Sequence, residues 1–544
     1  MTISGDATAW QEFTSAGPPD QSDSSLPQEV KVSLPFRSIL FGDTGGNAGA
    51  DERSAPDFFQ DLNIDQILGA VIKGRDGYNL APFFATPLTD VDAVVYRQEV
   101  FQDLEREQLH QIVATFAGRM ERMRSLLRAS AKVHYRYEKE RWFLNAVAAY
   151  CEAVTRFASD LTQVDIASRG FLALREDLAR YANSDRFTAL GFEARRLLNG
   201  LTAVRYCVLT KGTRITVGHY DGEADYSDQV VKTFERFQQG AVKDYRIKLP
   251  MLAGMDHVEA GVLDLVAKLF PDLFGALDAF CSEHRAYLDA AIGRFDREVQ
   301  FYLSYLDHLN PLRDAGLTFC YPQISAQAKE VQANETFDLA LATKLVGEKS
   351  PVVCNDFYLS AAERILVVSG PNQGGKTTLA RTFGQLHYLA SLGCPVPGRD
   401  VRVFLPDRIF THFEREEDLS TLAGNLEDEL RRIHAILDRA TPSSVIILNE
   451  IFTSTTLRDA LFLSGEVLGQ IAALDALCLC VTFIDELSTL NEKTVSMVST
   501  VAADDPAVRT YKLIRKPADG RAYAQAIAEK YALTFDSLKG RITS

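Results

Sequence analysis

One glycine-rich segment carries residue types at the spacing that binds phosphate groups. The segment Gly370-Pro371-Asn372-Gln373-Gly374-Gly375-Lys376-Thr377 fits G-x-x-x-x-G-K-[ST] and directly follows a buried-strand pattern, Ile365 to Ser369. The glycines let successive backbone N–H groups turn toward phosphate oxygens, and a helix that begins near Lys376 adds its positive end. The Lys376 ammonium would contact the β- and γ-phosphates, and the Thr377 hydroxyl would ligate Mg²⁺. The sequence therefore predicts an ATP and Mg²⁺ site whose nucleotide-binding residues are Gly370, Pro371, Asn372, Gln373, Gly374, Gly375, Lys376, Thr377 and Thr378.

A second strand pattern ends in an acid that is suited to activating water. The apolar run Val445 to Leu448 is followed by Asn449-Glu450, where P-loop ATPases usually have Asp-Glu. We predict that Glu450 polarises the attacking water and acts with Lys376 in catalysis; a helix-capping or salt-bridged acid is the alternative interpretation. Asn449 can accept from a Mg²⁺-bound water through its amide oxygen, but it lacks the charge of a carboxylate. We therefore place Thr377 and Asn449 on the metal side of the site and expect weaker Mg²⁺ binding and slow turnover.

The elements that must position these residues fall into a helical part and an α/β part. Residues 1 to about 57 are rich in Ser, Asp, Gly and Pro, which predicts a mostly disordered leader. One apolar piece of the leader, Val32 to Phe41, could be a short strand or a docking segment. Residues 58–317 show apolar spacing of three and four, which predicts a helical core/lever domain. Long stretches of this kind run from Leu109 to Ala129 and from Phe280 to Leu309.

A hairpin pattern near residues 204–225 interrupts the helices, with Gly212 in its turn. It is either a small structural insertion or a binding finger, for which Arg205, Lys211 and Arg214 would supply charge. From 318 to 544, short apolar runs alternate with helical segments, which predicts a mainly parallel sheet with crossover helices. The fold class is therefore α + α/β. The runs are Ile365 to Val368, Val445 to Leu448 and Leu477 to Phe483.

Composition limits the partners of the chain. Of its 544 residues, 46% are apolar and 24% are charged, and the net charge of -15 opposes binding to DNA except through a local patch. Eight cysteines form no C-x-x-C, and Cys478 and Cys480 alternate in an apolar run, so buried thiols are predicted. The first thirty residues do not resemble a signal peptide, and no apolar stretch approaches the 18 or so residues of a membrane span. These features favour a cytoplasmic protein without a membrane segment.

The phosphate loop and the segments around it resemble the MutS family of DNA mismatch-repair ATPases. Residues 370–378 are similar to that family's G-P-N-M-G-G-K-S-T, and Asp407-Arg408-Ile409-Phe410-Thr411 matches its D-R-I-F-T. Gly393-Cys394-Pro395-Val396-Pro397 looks like its I-G-x-F-V-P, and Asn355-Asp356 sits where the family has P-N-D. Pro87 to Asp90, with Arg97-Gln98 after it, looks like the stretch that opens the lever helices. The resemblance covers about residues 58 to 544 and implies an ABC-type ATPase domain in a homodimer with composite nucleotide sites.

Several positions depart from the family pattern. The family's S-G-x-S-T, which reaches the nucleotide of the opposite subunit, falls on Thr421 to Asn425. Its D-E-I-G-R-G-T-S falls on Asn449 to Thr456, and its T-H falls on Thr482-Phe483, so the histidine is replaced. The residues before 57 are too few for the mismatch-reading domain, and the clamp is reduced to the hairpin. These changes predict altered turnover and altered sensing across the subunits.

A helix from Asp418 to Arg439 carries the remaining charged pattern. Leu426, Leu430, Ile433 and Leu437 are predicted on its apolar face, and Glu427 and Asp428 precede Arg431 and Arg432 by four residues. A solvated face explains these charges, with dimer contacts as the alternative. His412 and His434 are predicted as surface or capping residues, and Arg458 and Asp459 either lie at a subunit boundary or form an ordinary surface pair.

Two functional hypotheses follow. The first is an ATP-driven DNA-structure-binding ATPase, MutS-like and homodimeric, whose lever helices couple ATP state to the grip on DNA. The second is a nucleotide-gated dimeric scaffold with little or no hydrolysis that recruits protein partners. Glu450 and the intact phosphate loop favour the first, whereas the acidic charge, Asn449 and Phe483 favour the second.

Overall fold

A computed structural model describes residues 36–42, 55–223, 255–413, 425–502 and 508–518. Most of the predicted leader, residues 1 to about 57, lies outside these ranges. Its described part, 36–42, is not free chain: Ile39 and Leu40 are buried against the helical half. The described residues of the apolar piece that could be a docking segment, 36–41, therefore dock.

Helices make up most of residues 58–314, as the apolar spacing predicts, and they recur between the strands that follow. Short 3₁₀ turns lie at Asp76–Tyr78 and Asp485–Thr489. The α-helices of the described residues are α1 Phe58–Asp61, α2 Ile64–Val71, α3 Ala81–Phe84, α4 Val91–Leu104, α5 Glu107–Lys132, α6 Arg136–Leu161, α7 Arg169–Ala182, α8 Asp185–Ala203, α9 His257–Leu269, α10 Pro271–Glu283, α11 Ala290–Asp314, α12 Leu339–Gly347, α13 Lys376–Ser391, α14 Asn425–Arg439 and α15 Leu457–Leu474.

The stretch Phe280 to Leu309, predicted as one helix, is divided between α10 and α11. The Asp289 side chain accepts hydrogen bonds from the backbone N–H groups of Ala291 and Ile292, so it caps a new helix. The prediction of a continuous helix is wrong here because apolar spacing does not detect a break that buries Tyr287 between two helices.

The strands form the predicted hairpin and three further sheets. The strands of the described residues are β1 Tyr206–Lys211, β2 Arg214–His219, β3 Phe319–Cys320, β4 Gln323–Ser325, β5 Val331–Thr336, β6 Asn355–Leu359, β7 Ile365–Ser369, β8 Val396–Pro397, β9 Asp400–Phe404, β10 Ile409–Phe413, β11 Val445–Asn449, β12 Leu477–Val481, β13 Thr494–Val501 and β14 Arg509–Arg515. β1 and β2 pair antiparallel, and Gly212 takes a positive φ of 61° in the turn between them.

The largest sheet has the strand order β10-β11-β12-β7-β13-β14. Its first five strands are parallel, and β14 is antiparallel to β13. A second sheet has the order β4-β9-β5-β6, and β3 pairs with β8. The predicted mixture of helices with a mainly parallel sheet is therefore confirmed.

The large sheet is buried on both faces. Leu477, Leu479 and Val481 point into the main hydrophobic core, whereas Cys478 and Cys480 point into a second core on the other face. The two thiols are fully buried, and burial raises the pKa of Cys480 to about 12. Buried structural cysteines are what the alternating pattern predicts.

Helix α13, which starts at the phosphate loop, packs across β11 and β12. Leu379, Phe383, Leu386 and Leu389 of this helix are buried, and Gly393 follows the helix with a positive φ of 75°. His387, on the same helix, is fully buried, and burial lowers its pKa to about 4. The helix therefore carries a neutral imidazole in its core-facing surface.

Arg97 links the helical half to the end of α13. Its buried guanidinium donates to the backbone carbonyls of Leu40 and Leu392 at 2.9 and 3.0 Å. It also lies 5.1 Å from the ring centroid of Phe41 and 5.3 Å from that of Phe301. Burial lowers the pKa of Arg97. One side chain of α4 thus joins the N-terminal segment to the helix that follows the phosphate loop.

The N-terminal helices pack on α13 as well. The Gln385 amide donates to the Leu62 carbonyl at 2.9 Å, and the Arg381 guanidinium donates to the Asp61 carbonyl at 3.0 Å. Gly384 lies between Leu62 and Ile447 so closely that an added Cβ would be 2.6 Å from one and 2.8 Å from the other. Residues distant in sequence therefore share one core.

No helix among the described residues is both long and apolar enough to cross a membrane.

Two helical glycines form a matched test of this packing. We expect Gly384→Ala to lower the free energy of unfolding by about 1–3 kcal/mol, because the new methyl group overpacks the core. We expect Gly469→Ala, at an exposed position of α15, to raise the free energy of unfolding by about 0.5–1 kcal/mol, because nothing lies near the added Cβ and alanine is the better helix former. Urea unfolding followed by circular dichroism measures both. A stabilised Gly384→Ala variant would contradict the close approach of α13 and Leu62.

Candidate functional site

The glycine-rich loop turns sharply between β7 and α13. Gly370 and Gly375 have positive φ angles of 116° and 92°, and Gln373 has a φ of 59°. A Cβ on Gly374 would lie 2.2 Å from the Ser499 hydroxyl, so only glycine fits. Helix α13 begins at Lys376. A loop of this shape at a helix N-terminus is suited to holding an anion.

The ammonium of Lys376 is directed into this loop. It donates to the Gly370 carbonyl at 2.9 Å, the Pro371 carbonyl at 3.3 Å and the Asn372 amide oxygen at 3.2 Å. Its side chain is 3% exposed. Burial lowers the pKa of Lys376, nearby Glu450 opposes that effect, and Arg509 adds to it. A buried cation inside a ring of oxygens is prepared to exchange those partners for phosphate oxygens.

The two predicted strand ends meet beside the loop. Because β11, β12 and β7 are parallel neighbours, their carboxyl ends lie on one edge of the sheet. The Thr377 hydroxyl donates to the Asn449 amide oxygen at 3.0 Å, and a carboxylate oxygen of Glu450 lies 3.8 Å from Nζ of Lys376. All four predicted catalytic and metal-side residues are therefore brought together.

Glu450 stands in a tight turn. Glu450 and Phe452 have positive φ angles of 57° and 60°, which residues other than glycine rarely adopt. The backbone N–H of Glu450 donates to the Val481 carbonyl at 2.9 Å, and that of Phe452 donates to the Glu429 carboxylate at 2.7 Å. External hydrogen bonds therefore hold the backbone that presents the acid.

The hairpin of β13 and β14 supports the phosphate loop from the other side. The Ser499 hydroxyl donates to the Gly374 carbonyl at 2.6 Å, and Nε of Arg509 donates to the Asn372 carbonyl at 3.2 Å. Asn355 fixes β14 by donating to the Tyr511 carbonyl and accepting from the Leu513 N–H. Ser499 and Arg509 lie outside the sequence motifs, because no spacing rule links a distant hairpin to the loop.

The two predicted histidines and Phe483 differ in how exposed they are. His434 is an exposed side chain beside Asp438, as predicted. His412 is 2% exposed and lies on β10, so its prediction as a surface or capping residue is wrong. The cause is a partly buried polar partner: Nε2 of His412 lies 3.3 Å from the Glu429 carboxylate. Phe483, at the place of the family's histidine, is 49% exposed.

The predicted helix from Asp418 begins at Asn425 in the described residues, and Thr421 lies outside them. Arg431 pairs with Glu427 as predicted, whereas Arg432 donates to the Phe413 carbonyl. Of the residues predicted on the apolar face, Ile433 is buried and Leu426 and Leu437 pack against the same core, whereas Leu430 is 37% exposed. Asp459 accepts from the Thr456 hydroxyl at the start of α15, which gives it a capping role.

The chemistry of these residues fits ATP and Mg²⁺. The loop offers a buried cation and a concavity that a Cβ would fill at Gly374. Thr377 and Asn449 offer neutral oxygens, and Glu450 adds one carboxylate, which are ligand types that Mg²⁺ accepts. Thr377, Asn449 and Glu450 together carry a single negative charge, so these side chains favour a metal ion that also binds phosphate.

The Gly374–Ser499 contact can be tested directly. We expect Gly374→Ala to weaken ATP binding at least about tenfold, or 1.4 kcal/mol, because the methyl group collides with the Ser499 hydroxyl and deforms the loop. Adding Ser499→Gly should restore part of the affinity, although the Pro371 carbonyl would still lie 2.9 Å from the methyl group. Titration with a fluorescent ATP analogue measures both variants, with Ser499→Gly alone as the control. Unchanged affinity in Gly374→Ala would show that this contact does not shape the site.

Comparison with known proteins identifies this region. Residues 366–534 match the family MutS domain V. The chain is similar to Endonuclease MutS2 of Thermus thermophilus, with 30% identity over 227 residues that span 39% of this chain and 30% of the relative. It is also similar to Endonuclease MutS2 of Gemmatimonas aurantiaca, with 26% identity over 257 residues that span 47% of this chain and 30% of the relative. The match thus covers less than a third of each relative's length. The glycine loop and the Asn449–Glu450 turn thus lie in a region that matches MutS domain V, and the chain is similar to MutS2 proteins.

Proposed function

We propose that this chain is a MutS-like ATPase that binds a DNA structure and couples its ATP state to the grip on DNA. It would work as a cytoplasmic homodimer, with an ABC-type P-loop domain from about 318 to 544 and a helical core/lever domain from about 58 to 317. Both relatives are named as endonucleases. Because the match covers only 30% of each relative's length, we propose no endonuclease activity for this chain.

The observation that carries the ATPase proposal is the meeting of Lys376 and Thr377 with Asn449 and Glu450. A phosphate loop alone binds nucleotide, but hydrolysis also needs a group that activates water. The Glu450 carboxylate lies 3.8 Å from the Lys376 ammonium and is 24% exposed. An acid at that distance from the phosphate-binding cation is within reach of a water that attacks the terminal phosphate.

Each residue has a separate task in this proposal. Lys376 would hold phosphate oxygens and offset the charge that develops on them, and the loop N–H groups would fix their direction. Glu450 would orient the water and accept its proton. Thr377 and Asn449 would hold Mg²⁺, which when bound neutralises phosphate charge. Thr378, in the first turn of α13, would line the same site.

The hairpin supports the DNA part of the proposal. Arg205, Lys211 and Arg214 are exposed on or beside β1 and β2, together with the half-exposed Tyr206 and Leu209. A ribbon that combines cations with an aromatic ring suits contact with a phosphate backbone. With a net charge of -15, the chain needs such a local patch to approach DNA.

Two features favour the alternative, a nucleotide-gated scaffold that recruits proteins and hydrolyses little ATP. The Thr377 hydroxyl donates directly to Asn449, whose neutral amide replaces the usual carboxylate. Phe483 places an exposed ring where the family has a histidine. Both changes would slow hydrolysis without removing the phosphate loop.

Steady-state ATP turnover distinguishes the two functions. We expect the purified protein to exceed a Lys376→Ala blank, and branched, mismatched or single-stranded DNA to change the rate, because the lever helices would transmit DNA contact to the site. Phosphate release is measured with each DNA form and without DNA. Turnover equal to the blank, in a protein that still binds ATP, would reject the ATPase and favour the scaffold.

Asn449→Asp tests the metal side of the site. We expect turnover to rise about tenfold, or 1.4 kcal/mol, because a carboxylate attracts Mg²⁺ more strongly than an amide does. Asn449→Ala is the matched control and should lower turnover, because it removes the oxygen as well. Phosphate release as a function of Mg²⁺ concentration checks both. A rate in Asn449→Asp that equals the native rate would show that the amide does not limit hydrolysis.

A further inference from the structure

The turn that carries Glu450 depends on a residue outside every motif. Glu450 and Phe452 both have positive φ angles, so the turn is unfavourable for its sequence and must be stabilised by its surroundings. The N–H of Glu450 is bonded within the sheet, to the Val481 carbonyl. The N–H of Phe452 is bonded to a side chain, the carboxylate of Glu429 at 2.7 Å. The Glu429 carboxylate therefore stabilises Phe452, the second strained residue of the turn.

The surroundings of Glu429 fix its carboxylate in place. Its side chain is 15% exposed, on the face of α14 where Ile433 is buried one turn later. The same oxygen, Oε1, lies 3.3 Å from Nε2 of His412, a side chain that is 2% exposed on β10. One oxygen thus joins α14, β10 and the turn after β11.

We propose that Glu429 is a positioning residue for Glu450, acting through the backbone N–H of Phe452. The inference rests on the proposed ATPase function for its effect on turnover. When the Glu429 carboxylate is lost, the turn relaxes from its positive φ angles, and the Glu450 carboxylate leaves its place 3.8 Å from Lys376. The phosphate loop has its own supports in Ser499 and Arg509, so ATP affinity stays.

The partly buried position of Glu429 also admits a simpler role, in which it only stabilises α14 on the sheet. That role would alter stability without loosening residues 450–453 more than the rest of the core. It would also not lower the rate of hydrolysis while leaving the affinity for ATP unchanged. These two differences decide between the roles.

Helix α14 supplies matched variants. Glu429→Gln keeps an oxygen acceptor for the Phe452 N–H, and Glu429→Ala removes it. Glu427→Ala, on the same helix, removes an exposed carboxylate that pairs with Arg431 and serves as the control. Hydrogen–deuterium exchange reports on residues 450–453 without any turnover, and phosphate release and ATP titration report kcat and Kd separately.

We expect Glu429→Ala to speed exchange in residues 450–453 at least about tenfold and to lower kcat at least about tenfold while Kd changes less than about threefold. Glu429→Gln should keep most of the protection and rate, and Glu427→Ala should match the native protein. Where Glu429→Ala does not fold, Glu429→Asp, whose shorter side chain draws the carboxylate back from Phe452, takes its place.

Native exchange in residues 450–453 of the Ala or Asp variant would overturn the proposal, as would equal losses in kcat and ATP affinity. Native turnover no higher than the Lys376→Ala blank would instead reject the ATPase function. In that case the exchange result alone decides whether Glu429 holds the turn.

Discussion

The buried guanidinium of Arg97 is a charge that water cannot reach, so the groups around it must stay in place. A buried cation is costly unless its hydrogen bonds are satisfied, and here the acceptors are the carbonyls of Leu40 and Leu392. The aromatic rings of Phe41 and Phe301 complete its surroundings. The N-terminal segment, α4 and the end of α13 are therefore held together at one point, and a shift of α13 would take the Leu392 carbonyl away from the guanidinium.

The candidate site stands at the other end of the same helix. Lys376 and Thr377 begin α13, and Leu392 follows its end, so the phosphate loop and the Arg97 contact are joined by four turns of rigid helix. Glu450 is held differently, by a strained turn and by hydrogen bonds from outside it. The site thus combines a loop fixed by the packing of a helix with an acid fixed by a few polar contacts, and the second arrangement is the easier one to disturb.

The sequence was informative where local chemistry leaves little choice. Only glycines permit the loop from Gly370 to Gly375, and the apolar runs of β7, β11 and β12 are short enough to be strands rather than helices. The pattern failed where a distant partner decides. Glu429 and His412 look like surface residues on their own segments, and only the packing of α14 against β10 makes them a partly buried pair. In the same way, the strain at Phe452 depends on an acceptor 23 residues away.

The contact of Leu62 with α13 has a consequence for biosynthesis. Leu62 leaves the ribosome more than three hundred residues before Gln385, its hydrogen-bonding partner. Until then, the apolar side chains of α1, α2 and the 36–42 segment lack part of the surface that covers them. The helical half cannot complete its packing until α13 has been made, and until then the nascent chain offers apolar surface to chaperones.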